Sequence, residues 1–238
     1  MNQSAKRLNP DIKVLTTVVD FFLPRFCTFC DTKLTTEEFY LCTECFYQIK
    51  EAEPDFLNSE YERKFAQSGL VENFLAAFVF EKEKPLQSLI HKLKYSYRYN
   101  AGLFLGKAAG SLLLERTEKL GIDILLPVPL HKLKKYERGY NQSFYIVQGF
   151  SEAIGIEYSE DILIRSKNTG TQSKLKIGTR QRNITGVFSV KKESDIKGKH
   201  VAVVDDIVTT GATMNECAKV LKQCGAAKIT ALSIAIAG

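Results

Sequence analysis

Short hydrophobic runs alternate with amphipathic segments through most of the chain after residue 70. Four of the runs are rich in β-branched and aromatic residues and predict strands at 71–80, 122–129, 200–208 and 228–237. Apolar residues recur at helical spacing between them, which predicts helices at 85–95, 101–119, 141–154 and 212–224. Strands that alternate with helices favour an α/β fold with a parallel sheet, and the unbroken apolar run 201–204 fits its centre.

The first 70 residues have a different character. Residues 10–23 predict a short amphipathic helix that packs on its own protein, because its polar face is too nearly neutral for a membrane-surface helix. A cysteine-rich stretch follows. The polar, acidic composition of residues 50–70 predicts a connector. We therefore predict two parts: 1–70, with the helix, the cysteine module and the connector, and 71–238, the main domain.

Composition places the chain among soluble globular proteins, with 45% apolar and 25% charged residues in 238. No apolar run approaches the roughly 20 residues of a membrane helix, and the N-terminus lacks the pattern of a secretory signal. We expect a cytoplasmic protein without membrane insertion. The charge is uneven. Residues 1–75 carry 8 basic and 12 acidic residues, a net charge of −4, so residues 76–238 must carry +10 to give the net charge of +6 for the whole chain. A basic main domain suits a phosphorylated ligand or a nucleic acid, and composition leaves both open.

Residues 201–213, VAVVDDIVTTGAT, form the most informative segment. A buried strand delivers Asp205 and Asp206 to its carboxyl end, where ligands of parallel sheets bind. The hydroxyl-rich loop then opens a helix whose free N–H groups suit a phosphate, and Gly211 allows close approach of the backbone. Carboxylates beside an anion site fit a sugar whose hydroxyls donate to them, so a 5-phosphoribosyl group is indicated. The simpler alternative is a solvated strand end with a threonine helix cap.

This segment resembles the phosphoribosyl pyrophosphate motif of type I phosphoribosyltransferases. The chain also resembles, more narrowly, the ComF family of competence-associated proteins. That resemblance rests on the cysteine module and on residues 89–95 (LIHKLKY), 125–143 (LLPVPLHKLKKYERGYNQS) and 171–183 (TQSKLKIGTRQRN). It implies a type I phosphoribosyltransferase fold: a parallel sheet of about five strands, flanked by helices, with a hood over the site and a small zinc-ribbon-like module at the N-terminus.

The resemblance also implies residue roles. Asp205 and Asp206 would hold the ribose hydroxyls, and Thr209, Thr210, Gly211, Ala212 and Thr213 the 5′-phosphate. Mg²⁺ would sit mostly on pyrophosphate oxygens and waters. The reaction implied is displacement of pyrophosphate from ribose C1 by a nitrogen nucleophile, with the acceptor unspecified.

Two basic segments are candidates for the pyrophosphate side. Residues 127–143 follow a strand end and supply Lys135 for substrate binding and Arg138 for bidentate phosphate contacts; the alternative is a solvated basic loop. Residues 165–183 resemble the mobile loop that closes over substrate, with Arg180 and Arg182 as catalytic candidates and Arg165 behind them. A structural surface loop is the alternative for this segment.

Cys27 and Cys30, then Cys42 and Cys45, form two C-x₂-C pairs. Two such pairs in a cytoplasmic protein predict a structural Zn²⁺ site with four thiolate ligands rather than disulfides or a redox centre. Three functions remain open: a phosphoribosyltransferase, a non-catalytic ligand-binding regulator, and a nucleic-acid-associated adaptor of DNA uptake. The adaptor hypothesis rests on residues 91–100 (HKLKYSYRYN), in which basic and aromatic residues alternate as they do in proteins that bind single-stranded DNA. DNA-uptake proteins would be its partners; the alternative is that these tyrosines pack on the sheet.

Overall fold

The computed structural model describes residues 23–95, 98–165 and 187–238. The helix predicted at 10–23, together with Arg180 and Arg182, lies outside the described residues. The chain forms two compact units: one comprises residues up to Ile49 with Lys82–Leu89, and the other Lys50–Glu81 with Ile90–Gly238. The domain division at residue 70 stays a prediction.

The first unit contains the cysteine module. Phe26 and Lys33 form an isolated antiparallel bridge around the first cysteine pair. Helix α1, Thr43–Tyr47, begins directly after its N-cap residue Cys42 and contains Cys45, the other cysteine of the second pair. No helix in the described part of the chain is long and apolar enough to span a membrane.

The second unit is built on a parallel sheet. In the described residues it has four strands: β1 (Asn73–Val79), β2 (Ile124–Pro127), β5 (His200–Val208) and β6 (Lys228–Ile236). They lie in the order β1-β6-β5-β2, and each neighbouring pair is parallel. A two-stranded antiparallel sheet joins β3 (Leu163–Arg165) to β4 (Phe188–Val190).

Helices connect these strands. Their bounds are α2 Pro54–Lys64, α3 Pro85–Tyr95, α4 Asn100–Leu120, α5 Lys132–Arg138, α6 Gln142–Ile154 and α7 Ala212–Gln223. Helices α4 and α6 approach closely because both have glycine at the contact: a Cβ on Gly106 would lie 2.2 Å from the Ile146 carbonyl oxygen, and one on Gly149 would lie 2.3 Å from that of Leu103. This close packing fixes α6 against α4.

The four predicted strands are confirmed, and the apolar run Val201–Val204 is fully buried at the centre of the sheet. The sheet has four strands in the described residues where about five were expected. Tyr158, beside the edge strand β2, makes only an isolated parallel bridge with Leu125. The predicted connector at 50–70 instead contains α2 and a 3₁₀ turn at Ala66–Ser68.

Candidate functional site

Two adjacent carboxylates stand at the carboxyl end of β5. The Asp205 side chain is partly exposed and its Oδ1 accepts hydrogen bonds of 2.9 Å from Ser143 Oγ and from the backbone N–H of Asp206. Asp206 is 5% exposed, and its Oδ1 accepts from the backbone N–H of Ile207 at 2.7 Å. Successive side chains of a strand point to opposite faces of the sheet. Asp205 and Asp206 nevertheless line the same cleft at the carboxyl end of β5, where each accepts a hydrogen bond from the backbone N–H of the next residue.

The environment disfavours ionisation of one of the two acids. Burial, reinforced by the neighbouring charge of Asp206, raises the pKa of Asp205 from 3.8 to about 7. Hydrogen bonds from Asp206 N–H and Ser143 and the charge of Lys94 oppose that rise. A ligand that donates hydrogen bonds to this pair would therefore favour the ionised form.

A tight loop leads from β5 into α7. Gly211 has φ of 75° and is the N-cap residue of α7, so the backbone turns through the left-handed region that favours glycine. A Cβ there would lie 3.1 Å from both Lys64 Cβ and Phe65 Cε1. Residues 207–214 and Asp205 line a small concavity of about 40 Å³. A concavity at the first turn of a 12-residue helix has the shape and the dipole that suit a phosphate group.

Helix α2 braces this loop from behind, which the sequence did not predict. Lys64 donates hydrogen bonds to the carbonyl oxygens of Thr209 and, at 3.1 Å, of Ala237. Its ammonium group is also 2.8 Å from Glu60 Oε2, and the two side chains are 6% and 8% exposed. Asn215 Nδ2 in α7 donates to the Lys64 carbonyl oxygen at 2.9 Å. The loop is thus held from both of its flanks.

A cleft of about 330 Å³ opens beside the acidic pair. Its basic residues are Lys94, His131, Lys134, Arg138 and Arg165. Thr213 lines both this cleft and the concavity of the loop at 209–213, here named the phosphate loop, so the two spaces share a wall. Arg138, a predicted residue, lines the cleft; Lys135 lies on an exposed face of α5 and does not line it.

The first turn of α6 forms another wall of the cleft. Asn141 caps the helix by accepting from Ser143 N–H at 3.2 Å, and its own Nδ2 donates to the Val128 carbonyl oxygen at 3.1 Å. Gln142 is 5% exposed, and its Oε1 has no hydrogen-bond partner among the described residues. A buried acceptor without a donor is costly in a protein interior, so it calls for a donor from a ligand or water.

Lys94 was also missed by the sequence. Its Nζ lies 2.7 Å from Asp206 Oδ2, although the direction is too poor for a hydrogen bond to that buried oxygen. Lys94 borders the apolar stripe of α3 at i+4 from Ile90, and a cation beside such a stripe is the one signal the sequence offered.

The acidic pair also suits a ligand that carries a metal ion. Mg²⁺ prefers oxygen ligands, so the carboxylates of Asp205 and Asp206 fit a magnesium-bound ligand.

The four cysteines of the first unit come together as predicted. Their Sγ atoms all lie within 4.8 Å of one another, and those of Cys30 and Cys42 are 3.6 Å apart. Tetrahedral Zn²⁺ with Zn–S bonds of about 2.3 Å places sulfur atoms ~3.8 Å apart. Contacts with the Thr32 side chain and backbone lower the pKa of Cys30 to about 6, which favours the thiolate. The cluster could therefore bind a metal such as zinc.

One acidic residue has a structural role in this module. Glu38 Oε1 accepts from the Thr43 N–H at 2.6 Å and Oγ1 at 2.7 Å, and Oε2 accepts from the Thr35 N–H at 2.9 Å. Bonds to the Thr35 backbone and to Thr43 lower the pKa of Glu38 to about 2. Glu38 therefore ties the loop after the first cysteine pair to the start of α1.

Comparison with known proteins agrees with this geometry. Residues 141–236 match the model of the phosphoribosyl transferase domain. The chain is 31% identical over 160 residues to "Competence protein F" of Haemophilus influenzae, covering 64% of this chain and 68% of that protein. The chain belongs to the ComF family of type I phosphoribosyltransferase-like proteins.

The chain is also similar to a second relative and to a solved structure. "DNA utilization protein YhgH" of Escherichia coli K12 is 36% identical over 151 residues, which cover 61% of this chain and 64% of that protein. The match thus spans just under two thirds of the length of this relative. The glutamine phosphoribosylpyrophosphate amidotransferase of B. subtilis is similar in structure at 24% identity and a TM-score of 0.38, over 59% of this chain and 26% of its own.

The matched domain contains only part of the candidate site. The acidic pair, the phosphate loop and the first turn of α6 lie within residues 141–236. Lys64, Lys94, Arg138 and the four cysteines lie before it. Of the site residues that were not predicted from the sequence, Lys64 and Lys94 lie before the matched domain, and Gln142 and Ser143 lie within it.

Proposed function

We propose that this protein binds phosphoribosyl pyrophosphate at the acidic pair and the phosphate loop, and transfers its phosphoribosyl group to a nitrogen acceptor. The observation that carries the proposal is the juxtaposition of Asp205 and Asp206 with the glycine-containing turn that opens α7. One half of this arrangement suits hydroxyl donors and the other suits an anion. A ribose 5-phosphate group satisfies both at once.

Each part of the ligand has a chemically matched surface. The ribose 2′- and 3′-hydroxyls donate to Asp205 and Asp206, while residues 209–213 surround the 5′-phosphate with backbone N–H groups and hydroxyls. The pyrophosphate lies along the basic side of the 330 Å³ cleft, toward Lys134 and Arg138. Mg²⁺, when bound with the substrate, neutralises charge on the departing pyrophosphate.

Catalysis in this proposal comes mainly from positioning and charge stabilisation. Binding of the ribose and the 5′-phosphate holds C1 in place, so that the nucleophile approaches it from one side while pyrophosphate departs from the other. Arg138 stabilises the charge that develops on the leaving group. Arg180 and Arg182, which lie outside the described residues, are proposed to act on the same group from the loop at 165–183, and Lys135 to attract the ligand.

The setting of the reaction is proposed from the printed names of the relatives. "Competence protein F" and "DNA utilization protein YhgH" place those proteins in DNA uptake or use. We propose the same setting for this chain, in the cytoplasm, with the four-cysteine cluster holding a structural Zn²⁺ ion. The basic balance of residues 76–238 fits work on phosphate-bearing molecules.

A pyrophosphate-release assay tests the enzymatic part of the proposal. Purified protein with phosphoribosyl pyrophosphate and Mg²⁺ is supplied with a panel of nitrogen acceptors, including purine and pyrimidine bases and single-stranded DNA. Release that depends on one acceptor and disappears in Arg138→Gln supports transfer, whereas Lys107→Gln, which changes an exposed ion pair, is the control. Tight ligand binding without release for every acceptor supports the non-catalytic regulator instead.

A second candidate function, an adaptor for single-stranded DNA, is favoured by one specific surface. His91, Tyr95 and Arg138 stack in series, with 4.7 Å between the His91 and Tyr95 rings and 5.4 Å from Arg138 Cζ to the Tyr95 ring. Tyr95 is 62% exposed and Tyr99 is 45% exposed. Tyr95 therefore does not pack on the sheet, and an exposed ring beside a cation suits stacking of nucleic-acid bases. The Tyr99 ring packs partly against Tyr140 and Tyr145, which leaves its remaining surface for the same contact.

Fluorescence anisotropy with an oligothymidine probe tests this adaptor function. The double variant Tyr95→Ala/Tyr99→Ala should weaken binding by about tenfold or more, since each stacked base contributes about 1–3 kcal/mol. Tyr47→Ala, which removes a tyrosine of the first unit that is 73% exposed, is the control. Failure of the wild-type protein to bind at about 50 mM salt would remove the adaptor, because electrostatic binding is strongest there.

A further inference from the structure

Among the residues that the structure describes, Lys94 forms an ion pair with one member of the acidic pair. It comes from the last turn of α3, and its Nζ is 2.7 Å from Asp206 Oδ2. The Lys94 side chain is 21% exposed, whereas the Asp206 side chain is 7% exposed. The ammonium group is therefore still in contact with the space of the cleft.

We propose that Lys94 is a pyrophosphate-binding residue which Asp206 holds in the free protein and releases to the ligand. The inference rests on the proposed function and adds a residue and a step to it. In the free protein the ammonium group compensates the buried carboxylate. When the ligand binds, the ribose hydroxyls donate hydrogen bonds to the Asp206 carboxylate in place of Lys94, and the ammonium group of Lys94 turns to the pyrophosphate.

The charges in the cleft support this exchange. Lys94, Lys134 and Arg138 line one cleft with the two aspartates, so the cations have both carboxylates and an incoming ligand as possible partners. The Lys94 ammonium group is 2.7 Å from Asp206 Oδ2 but makes no well-directed hydrogen bond with it, so its N–H donors remain available to an incoming ligand. A phosphate oxygen with several lone pairs offers a better-directed acceptor.

The chemistry of lysine fits a residue that changes partners. Its ammonium group is a point charge with three rotatable donors on a flexible four-carbon stem, so a rotation moves the charge by several ångströms. An arginine would be fixed by the planar geometry of its contacts. The Asp206 carboxylate remains compensated after the exchange, because ribose hydroxyls donate hydrogen bonds to it.

Calorimetric titration with two ligands separates this role from a merely structural ion pair. Phosphoribosyl pyrophosphate and ribose 5-phosphate, each with Mg²⁺, differ only in the pyrophosphate group. Lys94→Gln should weaken binding of phosphoribosyl pyrophosphate by about tenfold or more, the size of a lost charge-assisted hydrogen bond. Its affinity for ribose 5-phosphate should change by less than about threefold.

Control variants guard against a folding defect. Lys92→Gln removes a charge two positions away on the same helix, at a residue that does not line the cleft, and should leave both affinities unchanged. Lys94→Met keeps the packing of the stem and gives the same reading if the glutamine variant is unstable. Thermal unfolding of each variant confirms that the fold is intact.

Equal weakening of both ligands in the Lys94 variants would overturn the inference, since Lys94 would then act only on the acidic pair. Unchanged affinity for both ligands would overturn it as well. A wild-type protein that binds neither ligand would overturn the proposed function, and this inference with it. The three results are distinguishable in one set of titrations.

Discussion

Lys64 in α2 donates a hydrogen bond to the carbonyl oxygen of Thr209, the first threonine of the phosphate loop. The same ammonium group is 2.8 Å from Glu60 Oε2 in a pair that is more than nine-tenths buried. Helix α2 thus holds the loop through a charged residue rather than through apolar packing alone. The segment that looks like a connector in the sequence is part of the ligand site's support.

We expect Lys64→Met to destabilise the protein by about 3 kcal/mol, because among the described residues it leaves the buried Glu60 with only the largely exposed Arg63 as an ionic partner. Urea unfolding measures the loss. Arg63→Met, whose side chain is 56% exposed, should cost less than about 1 kcal/mol. The double variant Lys64→Met/Glu60→Met should recover the part of the loss that comes from the unpaired Glu60 carboxylate, and a double variant as unstable as the single one would contradict the explanation.

The stability of the folded protein should respond to the pKa of Asp205. Burial and the charge of Asp206 raise that pKa from 3.8 to about 7, so the folded state binds a proton more tightly than the unfolded chain does. The contribution of Asp205 is therefore fully present below about pH 4 and falls as pH rises to about 7. At about 1.4 kcal/mol for each tenfold difference in proton affinity, the loss is at most ~4.5 kcal/mol.

Asp205→Asn removes this dependence and provides the measurement. Urea unfolding of the wild type and the variant at about pH 5 and about pH 8 should show the variant gaining on the wild type at the higher pH. A difference between the two proteins that is the same at both pH values would show that the Asp205 pKa is not raised.

Gln142→Leu should separate stability from ligand binding. The Gln142 amide oxygen is buried without a donor, so replacing it with an apolar group of similar size should stabilise the free protein by about 1 kcal/mol. Affinity for phosphoribosyl pyrophosphate should fall, because the ligand loses an acceptor in the cleft wall. Thermal unfolding with and without ligand measures both effects.

A matched substitution on the same helix controls for the change from amide to leucine. Gln148 Nε2 donates to Tyr158 Oη at 3.1 Å, so Gln148→Leu removes a hydrogen bond and should not stabilise. Loss of stability in both variants would indicate that the Gln142 oxygen has a partner, such as an ordered water, in the free protein.

The cysteine cluster predicts one zinc ion per chain in metal analysis of the purified protein. Cys45→Ser should lose the ion, since Cys45 is buried within the four-sulfur cluster, while Cys224→Ser should retain it. Because metal affinity in such sites is folding free energy, a strong chelator should lower the unfolding temperature of the first unit. Protein that contains no zinc and unfolds identically with the chelator would refute a structural metal site.

Much of this site is predictable because its parts are adjacent in sequence. The acidic pair, the loop and the helix start lie within residues 201–213, and the order of strand, loop and helix is legible in their hydrophobic pattern. The cysteine cluster is predictable for the same reason, since each C-x₂-C pair is local and the metal chemistry links the two pairs.

Contacts between distant segments could not be predicted in this way. Lys94 and Asp206 meet only because α3 and β5 come together in the fold, and no local pattern encodes that meeting. Glu60 and Lys64 have the i, i+4 spacing of an ordinary surface ion pair, so nothing in the sequence marks the pair as buried. A polar segment that buries a paired charge is indistinguishable from a connector until its tertiary contacts are known.

The most direct test of the central claim is calorimetric titration of phosphoribosyl pyrophosphate into the zinc-loaded protein with Mg²⁺, for the wild type and for Asp205→Asn/Asp206→Asn. Saturable binding to the wild type that Mg²⁺ strengthens, and its loss in a double variant that still folds and holds its zinc, is the result we predict. Equal affinity in both proteins, or no binding to a folded wild type, would contradict the assignment of the ribose site to these two aspartates.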